Sequence, residues 1–389
     1  MKLRASDIFV FFCSILAVAF IVINTGAIVH DQYFIQTTFS WRYPKLYEGI
    51  SSCLLAVAVN LLASPSAGQV NPLFKSLALV IYVLPAYLLA RKYLRKELLL
   101  AFFVVLLFGS RMPFLWLSSE LLCGGFLSLA ILGIVSGWHY AAVAVILAWF
   151  AFLKPEMPLV AAAVMGVYLF GLKNTRKRVW SAVVFVGACF LIILPVLLWG
   201  DASFGRSLLS FGQHYFSVIR EHQAGSEDIV ISWENYAALF RENFPGVNSF
   251  ADVIIKYPYK FVDASALFFV RGLRHFTGLF QFLVPLLVLR VYFYFRRRQQ
   301  LQDFEKYILA SLVGLLPMVV FAYLHIRYQA KYYPLLVLCA LYFVQERMNR
   351  GWLRGVAALL IISAVVVQLW RFTGDMAMFD PSGSWWFPD

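Results

Sequence analysis

Long apolar runs separated by short polar segments repeat along the whole 389-residue chain. A helix that crosses a bilayer needs about 20 mostly apolar residues, and most of the runs approach this length. Basic residues collect after every second run, in clusters that begin at Arg91, Lys173, Arg296 and Arg347. Loops rich in Lys and Arg stay on the cytoplasmic side of a membrane. The pattern therefore predicts an all-α, polytopic transmembrane protein whose loops alternate between two sides.

The pattern predicts about eleven spans, within a range of about nine to twelve, with a cytoplasmic N-terminus and a C-terminus outside. The predicted spans are Ile8–Val29, Pro72–Ala90, Leu98–Trp116, Ser119–Val135, Tyr140–Leu153, Met157–Leu172, Val179–Trp199, Ala266–Leu289, Tyr307–Leu324, Tyr332–Val344 and Leu353–Trp370. Two of them, Tyr140–Leu153 and Met157–Leu172, are short and could be a pair of half-depth helices.

The spans form a single transmembrane domain, 1–389, with two longer outer segments. Residues 30–71 form a first outer loop. Within it, Tyr47–Leu62 is interpreted as a surface helix, because a crossing there would move the basic segment Arg91–Lys96 to the outside. Residues 200–265 form a larger outer loop or cap, which is more polar than the runs on either side.

Composition supports lipid as the solvent of this chain. It is 62% hydrophobic and only 14% charged, whereas soluble domains carry about 25% charged residues. The net charge of +13 suits anionic lipid headgroups at the cytoplasmic surface. Nucleic acid is not an expected partner, because no basic stripe alternates with aromatic residues as single-strand binding requires. The five cysteines contain no CxxC pair and are expected to be small buried hydrophobic residues.

Most acidic residues fall on the outer side of this predicted topology, and Asp31 is the first of them. It follows the first span directly, in His30-Asp31-Gln32. A carboxylate shielded by a surface helix and lipid can have a raised pKa and act as a general base. The alternative is a solvated interfacial residue that ends the helix.

Four more charged residues lie at outer ends of spans. Glu120 is in the first turn of its span, where the helix dipole favours an acid, so it can be structural or functional. Arg111, just before it, could pair with Glu120 or bind an anion. Lys154 and Glu156 flank a proline and could form a local ion pair at a helix break or a charged lining at the edge of a cavity.

The strongest constellation is the short outer turn from Tyr323 to Pro334. It concentrates His325, Arg327 and Lys331 with four tyrosines, including Tyr328. Arg offers a planar fork and Lys a point charge, so the turn suits a phosphate at headgroup level. An aromatic belt with snorkelling basic side chains is the alternative interpretation.

Motifs of soluble enzymes are absent. The chain contains no GxxxxGK[ST], HExxH, GxSxG or CxxC. Nucleotide-dependent chemistry is therefore not expected, and substrates carried in the membrane are. No cofactor is predicted, and a divalent metal is compatible with the sequence but not indicated by it.

Taken in order, several of these motifs resemble those of the GT-C class of polytopic glycosyltransferases. Asp31 stands where that class has an acidic residue after its first span. Tyr43-Pro44-Lys45-Leu46-Tyr47 resembles its "YPPLY" stretch, and Pro72–Leu94 resembles its second span. Leu153-Lys154-Pro155-Glu156 resembles a "TKPE"-like break, and the Arg327-Tyr328 and Tyr333-Pro334 pairs resemble an "RY…P" turn.

The resemblance implies an inverting glycosyltransferase. A sugar would move from a polyprenyl-phosphate donor to a hydroxyl of a lipid, glycan or protein acceptor on the outer face. Asp31 would be the catalytic base, and the donor phosphate would be held by His325, Arg327 and Lys331. The other residues assigned to substrate binding are Arg111, Glu120, Lys154, Glu156 and Tyr328. We expect a multi-pass protein of the bacterial plasma membrane, with its active side periplasmic.

Two other functions fit the same pattern. One is a polymerase or ligase of surface polysaccharides that also uses lipid-linked donors, with catalytic residues in the larger outer loop at Arg206, His214, Arg220 and His222. The other is a lipid or solute transporter. It would need charged residues along a pathway at mid-span, and the chain shows no internal repeat that would suggest duplicated halves.

Overall fold

A computed structural model describes residues 50–51, 54–55, 58, 70–108, 118–154, 156–199, 211–212, 214–216, 236–297, 300–321 and 329–377. Regular secondary structure in these parts of the chain is helical, without strands, which confirms the all-α prediction. Asp31, Arg111, His325, Arg327 and Tyr328 lie outside the described residues, so their predicted roles stay predictions.

Thirteen α-helices with complete bounds are described. They are α1 Val70–Tyr93, α2 Lys96–Phe108, α3 Ser118–Val135, α4 Tyr140–Ala151, α5 Met157–Gly171, α6 Thr175–Trp199, α7 Tyr236–Asn243, α8 Phe250–Lys256, α9 Pro258–Phe280, α10 Val284–Arg297, α11 Asp303–Phe321, α12 Tyr333–Arg347 and α13 Arg350–Ala377. Helices α1–α5 and α11–α13 share one large hydrophobic core, which also takes in the end of α9.

Glycines let the central helices approach closely. A Cβ on Gly125 of α3 would lie 2.2 Å from the carbonyl oxygen of Ile81 in α1. A Cβ on the preceding Gly124 would lie 2.7 Å from the ring of Tyr82 and 3.0 Å from the carbonyl oxygen of Lys331. The backbones of α1 and α3 are therefore in direct contact, as small residues allow at helix interfaces in membranes.

A similar contact joins α11 to α5. A Cβ on Gly314 would lie 2.7 Å from the Cα of Val160 and 2.8 Å from the carbonyl oxygen of Leu159. Helix α5 also packs on α4, and α4 packs on α3. The glycine contacts therefore help to set the distances between α1, α3, α5 and α11.

One end of the bundle is held by polar contacts between helix ends. Gln345 near the end of α12 donates from Nε2 to the carbonyl oxygen of Tyr93 at the end of α1, at 2.9 Å. Lys92 of α1 donates to the carbonyl oxygen of Val135 and, at 3.4 Å, to Oγ of Ser136, just after α3. The C-terminal ends of α1, α3 and α12 therefore lie together.

A buried ion pair at the same end joins α10 and α11 to the end of α12. Arg290 of α10 donates from Nε and Nη2 to the two carboxylate oxygens of Glu305 in α11, at 2.8 Å and 2.6 Å. Its Nη1 lies 3.4 Å from Glu346 of α12. A bidentate pair of this kind fixes orientation as well as distance. The start of α11 is therefore locked against α10 and α12.

The predicted span Ala266–Leu289 is divided between two helices that meet at a sharp bend. Helices α9 and α10 meet at an angle of 111°, separated by one 3₁₀ turn that starts at Gln281, whose φ is +42°. Pro285 explains the break, because it has no N–H to donate to the carbonyl of Gln281 and its ring clashes with that carbonyl in a continuous helix.

Part of the predicted outer cap has a core of its own. Aromatic side chains from residues 211–216, from α7 and from α9 form a second hydrophobic cluster, which includes Phe211, Phe244 and Phe268. Helix α8 begins with a capping box, in which Ser249 and Asp252 bond to each other's backbone N–H. Hydrogen bonds from Asn248 and then Ser249 hold the pKa of the exposed Asp252 carboxyl below its usual range.

Among the described residues, two helical stretches are long and apolar enough to cross a membrane, Phe74–Tyr93 and Thr175–Leu198, and the bent pair of α9 and α10 adds a third if counted as one span. Helices α4 and α5 have 12 and 15 residues. At about 1.5 Å per residue, each is shorter than the hydrocarbon core of about 30 Å. The fold is compatible with a helical membrane protein, and the total of eleven spans stays a prediction.

Replacing Gly125 by Ala is expected to destabilise the protein. The new Cβ would overlap the backbone of α1, and overpacking of this kind typically costs about 1–3 kcal/mol. Gly187→Ala on α6 is the matched control, since a Cβ there meets no atom within 4 Å. Thermal unfolding in detergent should show a lower Tm for Gly125→Ala and no loss for Gly187→Ala. Equal Tm values for the two variants would contradict the close packing of α1 on α3.

Helix α6 provides a test of the membrane environment. Only 17% of its most apolar stretch is buried inside the protein. Val186, near the middle of the helix, is 64% exposed. A lysine at the centre of a lipid-facing helix costs about 2.5–3.5 kcal/mol, whereas an exposed site in water tolerates it within about 0.5 kcal/mol. Val186→Lys should therefore reduce the amount of protein recovered in the membrane fraction relative to Val186→Leu. Equal recovery would mean that this face meets water.

Candidate functional site

Two buried ion pairs lie at the end of the bundle opposite to Arg290. Lys154, just after α4, pairs with Glu120 in the first turn of α3, and Glu120 is fully buried. Lys331, just before α12, donates from Nζ to Glu156 at 2.8 Å, with the two side chains 0% and 7% exposed. We call Glu120, Lys154, Glu156 and Lys331 the charged cluster. All four were predicted from the sequence as substrate-binding residues.

The break between α4 and α5 separates the two charged side chains that it carries. The end of α4 tightens into a turn in which the N–H of Leu153 bonds to the carbonyl of Phe150, and the N–H of Met157 then bonds to that of Lys154. Glu156 is the N-cap of α5 and makes no side-chain cap hydrogen bond, so its carboxylate reaches Lys331. The observed pairs thus join different parts of the chain. Of the two alternatives that the sequence left open, a local pair of Lys154 with Glu156 or a charged lining at the edge of a cavity, the local pair is not observed.

The two tyrosines after Lys331 attach the start of α12 to neighbouring helices. Tyr332 donates from its hydroxyl to the carbonyl oxygen of Ser311 in α11, at 3.3 Å. Tyr333 donates to the carbonyl oxygen of Val105 in α2, at 3.2 Å, and its ring stacks on Phe280 with centroids 5.4 Å apart. Both tyrosines are almost fully buried. The start of α12 is therefore attached to α2, α9 and α11.

The residues before Lys331 continue this attachment. Gln329 donates from Nε2 to the carbonyl oxygen of Gly272 in α9, at 2.8 Å. The hydroxyl of Tyr82 in α1 lies 3.5 Å from the carbonyl oxygen of Ala330. With Glu156, these contacts hold 329–333 against four helices, α1, α2, α9 and α11, and against the α4–α5 break. Residues 325–328 of the predicted phosphate-binding turn precede this segment in the sequence and lie outside the described residues.

The electrostatics of the charged cluster are balanced. Two carboxylates face two ammonium groups, and buried charges are stable only when paired in this way. The Oε2 atom of Glu120 is buried and accepts no hydrogen bond from the described residues. This oxygen can accept a hydrogen bond from a hydroxyl or amino group that reaches the cluster. No group of three or more His, Cys, Asp or Glu side chains suited to a metal ion occurs in the described part of the chain.

A piece of the predicted first outer loop lies beside the cluster. The N–H of Ser51 donates to the carbonyl oxygen of Phe152, at 3.0 Å, two residues before Lys154. The neighbouring Ile50 packs with Ala148 of α4 and with the C-terminal part of α6. Asp31 precedes this contact by about twenty residues in the sequence and lies outside the described residues.

Two basic residues of α9 were missed as site candidates. Arg271 is 8% exposed, and His275 is one helical turn further on and half-buried. Both fall inside the predicted span Ala266–Leu289. The signal available in the sequence was the group Arg271, Arg274 and His275 within five residues of an otherwise apolar run, since charges at membrane depth are candidates for function.

The Lys331–Glu156 pair is expected to contribute strongly to stability. Lys331→Met leaves a buried carboxylate without this partner, which typically costs about 3–5 kcal/mol, and adding Glu156→Gln should restore much of the loss. The control is Lys306→Met, which removes an exposed pair with Asp303 of the same 2.8 Å separation. Thermal unfolding of the single and double variants measures the coupling between the two residues. If the Tm of Lys331→Met were no lower than the Tm of Lys306→Met, the buried pair would not contribute to the stability of the protein.

The charged cluster thus brings three separate parts of the chain to one place. No family model matches this chain, and neither the curated proteins nor the solved structures include a match to it.

Proposed function

We propose that this protein is a multi-pass membrane glycosyltransferase. It transfers a sugar, with inversion, from a polyprenyl-phosphate donor to an acceptor hydroxyl on the outer face of the membrane. The observation that carries the proposal is the charged cluster. Its members come from α3, the α4–α5 break and the turn before α12, and two of these three places contain motifs that resemble the GT-C class.

The two ends of the bundle support the proposed topology. Lys92, Arg290 and Gln345, which make the polar contacts at one end, belong to segments assigned to the cytoplasm by the distribution of basic residues. Lys154 and Lys331, at the other end, belong to segments assigned to the outside. The helix ends therefore separate into the two sets expected for alternating spans, with an outer face that is periplasmic in a bacterial plasma membrane.

In the proposed reaction, Asp31 accepts the proton of the acceptor hydroxyl. The hydroxyl oxygen attacks the anomeric carbon and forms the new glycosidic bond. The bond between that carbon and the phosphate oxygen breaks, and its electron pair leaves with the lipid phosphate. Attack from the side opposite to the leaving group inverts the anomeric centre. The energy comes from the donor itself, so no nucleotide takes part.

The charge that develops on the leaving phosphate requires fixed positive groups near it. We assign this role to His325 and Arg327, with Tyr328 and Arg111 as further donor contacts. Lys331, whose charge is matched by Glu156, positions the segment that follows them in the chain. Preorganised charge of this kind is often the largest contribution to catalysis, because it needs no rearrangement during the reaction.

The remaining cluster residues suit the acceptor. Glu120 offers the buried Oε2 oxygen, and Lys154 holds its other oxygen in place. A sugar, lipid or protein hydroxyl that donates to Oε2 would be oriented for attack. Acceptors with a free hydroxyl at the membrane surface are therefore the expected class.

The test is transfer by the purified protein in liposomes. A panel of radiolabelled polyprenyl-phosphate sugars is offered to the wild type, to Asp31→Asn and to Arg327→Ala, with Asp303→Asn as a control acid at the opposite end of the bundle. One donor should be turned over by the wild type. Loss of the base should lower the rate by about 10²–10⁴-fold, and Asp303→Asn should leave it unchanged.

Two outcomes would reject the proposal. If Asp31→Asn retained turnover within a few-fold of the wild type, the assigned base would be wrong; dependence on Arg206, His214, Arg220 and His222 would then favour a polymerase or ligase. If no donor were used while lipid or solute moved across the same vesicles, the protein would be a transporter.

A further inference from the structure

Helix α9 stands nearly at right angles to the helix that follows it. Helix α10 runs alongside α12, because it begins just after Phe280, which stacks on Tyr333, and brings Arg290 to Glu346 near the other end of α12. Helix α12 itself leads from the charged cluster to the opposite end of the bundle. Since α9 meets α10 at 111°, its 23 residues run across the bundle axis and not along it.

The contacts of α9 place it at the charged-cluster end of the bundle. Gln329 donates to the carbonyl oxygen of Gly272 at 2.8 Å, and Gln329 is two residues before Lys331 in the sequence. The bundle axis follows the membrane normal when apolar helices such as α1 and α6 cross the bilayer. A helix that runs across this axis at the end of the bundle therefore lies close to the plane of the membrane surface.

The side chains of α9 fall on three sides of the helix. One side is buried, with Ala264 and Phe268 in the second hydrophobic cluster. Another side carries exposed charges, at Asp263 and Arg274. On the third side, which we call the apolar strip, the side chains are 49% to 90% exposed: Tyr259, Val262, Phe269, Val270 and Leu273. At 3.6 residues per turn, Asp263 and Arg274 lie about 100° around the helix from Val262 and Leu273.

A helix that exposes both an apolar strip and charges suits the boundary between lipid and water. If α9 crossed the bilayer, its length of about 34 Å would barely exceed the hydrocarbon thickness of about 30 Å. Asp263 and Arg274, both well inside the helix, would then lie exposed in hydrocarbon, which is costly. A helix in the plane of the surface turns the apolar strip towards lipid and both charges towards water.

An apolar cavity continues the strip into the bundle. It has a volume of about 130 Å³ and lies between α9, α11 and the start of α12, with lining residues that include Phe269, Leu273, Leu312, Leu315, Tyr332 and Leu336. An apolar cavity of about 150 Å³ stays dry and takes up benzene. A flexible hydrocarbon chain that meets the strip is able to enter this space, whereas the relatively flat face of a helix from a second copy of the chain is not.

We propose that α9 is an interfacial helix, which lies in the membrane surface at the charged-cluster end with its apolar strip against the hydrocarbon of bilayer lipids and with Asp263 and Arg274 in water. The cap that packs on the buried side of α9 is thereby attached to the membrane surface. This placement does not depend on the reaction that the protein performs.

The depths of two matched pairs of positions test the proposal. Val262 and Leu273 are eleven residues apart on the apolar strip, and Asp263 and Arg274 are eleven residues apart on the charged side. Each position is replaced by Cys and spin-labelled in the full-length protein in nanodiscs. Accessibility to oxygen, which concentrates in hydrocarbon, and to a nickel chelate, which stays in water, then gives the depth of each label.

The native cysteines can be handled without disturbing the core. Cys123 and Cys339 are buried and stay in place, while Cys13, Cys53 and Cys189 are replaced by serine. A native cysteine whose replacement lowers the Tm is kept, and the signal of the protein without the added cysteine is subtracted. The four labelled positions are exposed, so each labelled variant should keep the Tm of its parent.

We expect the labels at Val262 and Leu273 to lie in hydrocarbon at the same depth, within about one helical turn of 5 Å. The labels at Asp263 and Arg274 should both be accessible to the nickel chelate. Helix α6 supplies the control, because Val186 and Leu197 are also eleven residues apart and are 64% and 53% exposed. As α6 is long enough to cross the membrane, their depths should differ by roughly 16 Å.

Three results would each overturn the proposal. A difference of roughly 16 Å between Val262 and Leu273, as in the α6 pair, would mean that α9 crosses the bilayer. Labels at Val262 and Leu273 as accessible to the nickel chelate as those at Asp263 and Arg274 would place the apolar strip in water. Labels on the strip that neither oxygen nor the chelate reaches would show that protein, such as a second copy of the chain, covers it.

Discussion

Burying Lys331 is the constraint on which the rest of this structure depends. An ammonium group without exposure to solvent is stable only beside an opposite charge, and Glu156 supplies it at 2.8 Å. That requirement fixes the α4–α5 break against the start of α12. The tyrosines that follow Lys331 then attach the same segment to α2 and α11, so the position of one side chain is tied to much of the bundle.

Close helix packing and the charged cluster depend on each other. Gly124 leaves room for the carbonyl oxygen of Lys331 on one side and for Tyr82 on another, and a larger residue there would move the turn away from Glu156. Gly314 brings α11, which carries the acceptor of the Tyr332 hydrogen bond, against α5. A shift of one of these helices would therefore disturb the ion pairs. Breaking an ion pair would in turn loosen the packing of the helices.

The sequence predicted single helices well and their pairing poorly. Ser119–Val135 and Met157–Leu172 were predicted within one residue of the observed α3 and α5, because an apolar run bounded by charges and turns determines a helix locally. The partners of Lys154 and Glu156 were not predictable, since they depend on how α3 and α12 are arranged in space. The bend at Gln281 was missed because Pro285 lies inside an apolar run, where hydropathy outweighed its effect on the backbone.

The charges of the cluster indicate which of its residues position other groups and which are able to bind a substrate. A residue whose charge is already matched by a buried partner binds a substrate only if it gives up that partner or shares it, which is costly at low dielectric. Lys331 and Lys154 are matched in this way, so their main contribution is to position the turn and the carboxylates around them. In the proposed reaction, the cations that act on the phosphate therefore come from groups outside the two pairs.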